Sequence, residues 1–89
     1  MATKKQINNM VTLINEKYHI RDENEDWSIK VEKGLNGWQI ALGPKYSWTV
    51  VLTQHRAVSS DVCLMILQMI FHDVLERQTY KHYTITKRV

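Results

Sequence analysis

Apolar residues at the start of the chain recur at the spacing of a single helix face. Between Thr3 and Tyr18, the residues Ile7, Met10, Val11, Ile14 and Tyr18 return every three or four positions, while Asn8, Asn9, Thr12, Asn15 and Glu16 fill the opposite side. That period predicts an amphipathic helix. Arg21–Asp26 (RDENED) holds no apolar side chain and reads as a loop.

From Trp27 onward the period changes to two. Trp27, Ile29 and Val31 alternate with Ser28, Lys30 and Glu32; Trp38, Ile40 and Leu42 alternate with Gln39 and Ala41; Tyr46, Trp48, Val50 and Leu52 alternate with Ser47, Thr49, Val51 and Thr53. Alternation of this kind marks strands with one buried face. Gly34–Gly37 (GLNG) and Gly43–Lys45 (GPK) supply the turns between them, the first through residues that tolerate positive φ and the second through a proline that stops the ladder. A second helix is expected to start at Ser59 or Ser60, either of which can cap it. Asp61 suits its positive end, and the helix runs on to about Gln78. In the last residues Tyr83 and Ile85 alternate with Thr84 and Thr86, which fits a short fourth strand as well as a frayed basic tail. The fold class that follows is α+β in the order α-β-β-β-α: a three-stranded antiparallel meander with two helices packed on one face, and a short C-terminal strand as an option. Residues 1–89 form one domain, with 1–2 and about 86–89 open to fraying.

The faces of the meander differ. One carries Trp27, Trp38 and Trp48 with Ile29, Val31, Ile40, Leu42, Val50 and Leu52; the other is polar apart from Ala41 and Val51. Three strands about 4.8 Å apart leave room for two helices about 10 Å across on one side. Their apolar stripes require the apolar face. The indoles are therefore expected to be core and not a shelf on which bases or other rings stack.

Composition adds bounds. A chain of 89 residues with a hydrophobic fraction of 44% makes a small domain that buries roughly 60–65% of its unfolded surface, and self-association would add to its stability. The single cysteine, Cys63, excludes an intramolecular disulfide. MATKKQINN has no apolar segment of the secretory kind, and the run Val62–Leu67 is too short to cross a bilayer. A cytoplasmic location without a membrane partner is the expectation.

No chemistry is expected. His72 and Glu76 are spaced four apart, as two metal ligands on a helix would be, but His19, His55 and His82 fall on other elements and supply no third ligand. Cys63 lies inside an apolar run, where a thiol is normally packed and inert. No Ser/His/Asp or Cys/His arrangement can be placed. Catalytic residues, cofactors and metals are all expected to be absent.

A net charge of +3 permits an anionic partner. The element order resembles that of double-stranded-RNA-binding domains, which grip phosphates with lysines at the start of the second helix. Here that position reads SSDVCLMILQ, and no Lys or Arg stands between Arg56 and Arg77. The resemblance stops at the order of elements. A looser nucleic-acid alternative uses the basic chain ends, Lys4, Lys5, Lys81, Lys87 and Arg88, with Arg56.

The second helix is the feature without a simple explanation. Cys63, Ile66, Leu67, Ile70, Phe71 and Val74 form a core face; Asp61, Gln68, His72 and Glu76 lie opposite, and Met65 and Met69 fall among those polar positions, with Leu75 at one border. Either the C-terminal segment covers them, or they meet a second subunit or partner, a use that suits flexible thioethers. Leu13 would extend the patch, and His72 within it would make association sensitive to pH. The expected function is a small non-catalytic binding or regulatory protein, of the accessory or phage type. It would act through protein–protein contacts and form a homodimer through the second helix.

Overall fold

The computed structural model describes residues 1–54 and 56–88; His55, one of the histidines weighed as a ligand, lies outside them, as does Val89. The first helix, α1 (Lys4–Lys17), begins with a capping box in which the Thr3 hydroxyl accepts from the Gln6 amide at 3.1 Å and the Gln6 side chain accepts from the Thr3 amide at 2.9 Å. It ends abruptly at Tyr18, whose backbone is extended (φ −119°, ψ 148°), and the chain passes directly into a strand, β1 (Tyr18–Arg21).

β2 (Asp26–Gly34) and β3 (Gly37–Gly43) form the expected hairpin, closing with Gly34 opposite Gly37 around Leu35–Asn36. β4 comprises Val50–Val51, the second helix α2 spans Ser60–Asp73, and β5 (Arg77–Thr79) and β6 (Thr84–Lys87) form a final hairpin. The strands make one six-stranded sheet in the order β4-β3-β2-β1-β6-β5, each neighbouring pair antiparallel. Both helices pack on its apolar face, where Ile7 and Ile14 of α1 and Cys63 and Leu67 of α2 join Ile20, Trp27, Ile29, Trp38, Ile40 and Leu42 in one core. The α+β class and the expected helix placement stand.

The sheet is larger than the meander because β1, which follows α1, and the C-terminal hairpin β5–β6 join it. Arg21 belongs to β1 and Asp26 to β2, which leaves only 22–25 as a loop. β1 lies between β2 and β6, with Ile20 opposite both Trp27 and Ile85 on the covered face. The fourth-strand option is realised as β6, so Thr86 and Lys87 are paired and not frayed.

Two expected boundaries move inward. The third strand shrinks to Val50–Val51, leaving Tyr46 exposed and Trp48 partly exposed in the preceding loop. That loop folds against the end of β3, with the Thr49 amide donating to Leu42 O at 3.1 Å, and is pinned by Lys30, whose ammonium donates to the carbonyls of Ser47, at 2.8 Å, and of Pro44. Beyond β4 the chain turns at Gln54, with φ 53°. Trp27 and Trp38 are buried as expected. α2 stops at Asp73 and not near Gln78, because Val74 is extended and buried in the core. Its terminal carbonyls already have partners: Phe71 O accepts from the Lys17 ammonium and the Tyr18 hydroxyl, and Val74 O accepts from the same hydroxyl. Leu75 and Glu76 therefore lie beyond the helix.

Candidate functional site

α2 carries apolar side chains nearly all the way round. Ser59 caps it by accepting from the Val62 amide at 3.2 Å, and Cys63 and Leu67 face the core with no exposed area. On the far side Met65 and Met69, one turn apart, are 51% and 55% exposed. Leu75, in the connection to β5, is 72% exposed, and Leu13 is exposed on the adjacent helix α1. His72 is exposed with its ring edge-on to Phe71 at 5.1 Å. The β5–β6 hairpin leaves Met65, Met69 and Leu75 uncovered.

Beneath the C-terminal half of α2 lies a cavity of about 380 Å³. Its floor includes Ile20, Ile29 and Ile85 of the sheet, and its roof Ile66 and Ile70. The rim comes from Met69 and Asp73 of α2 and from Gln78, Tyr80 and Tyr83 of the final hairpin. Tyr80 and Tyr83 stack at 4.7 Å between ring centroids, and Tyr83 also lies 5.5 Å from Trp27. The Tyr80 hydroxyl donates to Gln78 Oε1 at 2.9 Å, and Gln78 Nε2 donates to the carbonyl of Asp73 at 3.3 Å. Sequence reasoning missed this cavity. Tyr80 and Tyr83 do carry a signal, two aromatics after the last helix, but only the pairing of β6 with β1 brings them to α2.

The basic candidates are spread out. Lys4 and Lys5 open α1, while Arg88 sits at its other end, where its Nε donates to the carbonyls of Asn15 and Tyr18 at 3.2 and 3.1 Å. At 1.5 Å rise per residue the two ends of α1 stand about 20 Å apart. Lys87 closes β6, Lys81 lies in the β5–β6 connection, and Arg56 follows β4 with its amide bonded to Thr53 O.

Two of the remaining titratable groups that sequence reasoning weighed, His72 and Glu76, are not brought together. Glu76 is off the helix that carries His72, so the four-residue spacing does not put both on one face. His19 bonds Asp26 at 2.8 Å on the open face of the sheet, and this hydrogen bond holds the Asp26 carboxyl below its usual range. No group of three His, Cys, Asp or Glu side chains clusters among the described residues, and none of their helices is long and apolar enough to cross a membrane.

Burial pushes the Cys63 thiol up to about 11. The nucleophilic thiolate is thus scarce near neutral pH, although Cys63 lies close to the N-terminus of α2. Native protein at pH 8 is expected to resist iodoacetamide for hours and to alkylate fully in denaturant. Native alkylation within about tenfold of the denatured rate would contradict a packed thiol.

Comparison with protein-family models, with curated proteins and with solved structures returns no significant match to this chain, so any functional reading of α2 and the cavity rests on their own chemistry.

Proposed function

We propose that this is a small non-catalytic binding or regulatory protein of the cell interior, which works through protein–protein contacts and pairs with a second copy of itself through α2. The observation that supports the reading is the exposure of Met65, Met69 and Leu75 on and just beyond a helix whose opposite side is core. A helix that is apolar all round is normally buried on all sides. Here a second α2 related by a two-fold axis would supply the missing cover with the same patch. A stable interface takes about 800 Å² from each partner, more than these side chains present, so Leu13 of α1 and Val62 would share it. The separation of Lys4 and Lys5 from Lys87 and Arg88 keeps the basic chain ends from forming one patch, and protein is the favoured partner.

Sedimentation tests the pairing. Wild-type protein is expected to sediment as a dimer at micromolar concentration. The double variant Met65→Glu with Met69→Glu is expected to run as a folded monomer, since two carboxylates cannot be buried against apolar surface. A wild type that remains monomeric at about 100 μM, weaker than specific dimers of this size, sinks the homodimer.

A further inference from the structure

Protein interiors pack to the density of organic crystals and hold few voids larger than a water molecule. The cavity under α2, at about 380 Å³, is no sealed interior void but a cleft open to solvent on one side, of a size within the ~300–1,000 Å³ range of small-molecule pockets. Its floor and roof are isoleucine and leucine side chains, which offer entering water no partners, so an apolar guest competes well for the space.

The polar groups of the lining are nearly all engaged. The Tyr18 hydroxyl is bonded to the carbonyls of Phe71 and Val74, that of Tyr80 to Gln78, and Gln78 Nε2 to the carbonyl of Asp73. The Asp73 carboxylate is the one charged side chain on the lining, and it has no cationic partner among the described residues. It stands at the C-terminus of α2, where the helix dipole adds negative potential. Beside it Tyr80, 43% exposed and stacked on Tyr83 by one side of its ring, keeps a second ring face outside that stack, the kind of π-face that attracts a cation.

We propose that this cavity binds a small hydrophobic amine, with one or two rings held between α2 and the sheet and the ammonium group at Asp73, against the tyrosine pair. At ~30 Å³ per water-sized unit, the space suits a body of about a dozen non-hydrogen atoms. Apolar acids of the same shape are disfavoured, because they bring a second negative charge to the same rim.

Three naphthalene probes test this: 1-naphthylmethylamine, 1-naphthylmethanol and 1-naphthoate, each titrated into ¹⁵N-labelled full-length protein while amide shifts are followed. The amine is expected to move the amides of Ile66, Ile70 and Ile85 and to bind at least about fivefold more tightly than the naphthoate, a modest ratio because Asp73 is exposed. Asp73→Asn is expected to remove that preference and leave naphthylmethanol binding unchanged. Ile70→Trp fills the cavity and is expected to abolish binding of all three; if it does not fold, Ile66→Phe takes its place. No amide shifts with the amine at millimolar concentration, equal affinity for amine and naphthoate, or undiminished binding in a folded cavity-filled variant would each overturn the proposal. Met65 is not part of the lining, so Met65→Glu is expected to leave amine binding intact while weakening self-association, which keeps the two proposals separable.

Discussion

Gly37→Ala is expected to lower the melting temperature by at least about 10 °C. Gly37 has φ +134°, a region L side chains rarely enter, and an added Cβ would lie 2.5 Å from the carbonyl oxygen of Val58. The crowded atom is backbone and cannot swing aside. It is also half of a two-bond bridge, Trp38 N to Val58 O at 2.8 Å and Val58 N to Trp38 O at 2.9 Å, which fastens β3 to the segment leading into α2. Backbone strain of about 1–3 kcal/mol is joined by about 1 kcal/mol for each bond lost. Each kcal/mol moves the melting point of a domain this size by about 4–8 °C. Gly34, at the other end of the same turn, is the control. A Cβ there meets nothing nearer than 3.9 Å, so Gly34→Ala is expected to stay within about 2 °C of wild type. Equal melting points for the two variants would show that the Trp38–Val58 bridge is not needed to hold the turn.

Leu67→Ala is expected to cost about 2–5 kcal/mol, read as a lower denaturant midpoint with an unchanged slope. Leu67 has no exposed area, on the side of α2 that meets both α1 and β3. The site is enclosed by several elements, so it cannot collapse onto the lost methyls. Against a total stability of about 4–13 kcal/mol for a chain of this length, the loss is large. Leu35→Ala removes the same atoms from a fully exposed turn and is expected to change stability by less than about 0.5 kcal/mol. A Leu67→Ala cost below about 1 kcal/mol would mean the helix–sheet seam is loosely packed.

How legible each element was depended on its length and on whether it carried its own period. α1 and the β2–β3 hairpin repeat over several turns or residue pairs, with Thr3, Gly34 and Gly37 marking their ends, and both appear where their patterns predict. β1 is too short for alternation to register, and its first residue, Tyr18, also continues the helical stripe of α1. The competition at Tyr18 is settled by its hydroxyl, which reaches carbonyls at the end of α2. The end of α2 was misread for a related reason. Val74, Leu75 and Glu76 keep a helical pattern, yet β5 has to pair with β6, and Val74 has to enter the core. In the third alternating segment, Pro44 and the clamp from Lys30 prevailed over a pattern that ran on through Trp48.

The candidate sites divide the same way. Met65 and Met69 stand out on a helical wheel because sidedness is local, and wheel position anticipates their exposure. The cavity does not stand out, because its floor, roof and rim come from segments far apart in the sequence.

Local periodicity, capping and turn residues determined by themselves the helices, the central hairpin and the sidedness of the sheet, since each of these acts within a few residues. Only the tertiary structure decided where α2 ends, that the segment after α1 and the C-terminal segment are drawn into the sheet, and that Asp73, Tyr80 and Tyr83 share one rim. The physical reason is that hydrogen bonds between β1 and β6, whose residues are 67 positions apart at His19 and Thr86, form only once the chain has folded back on itself.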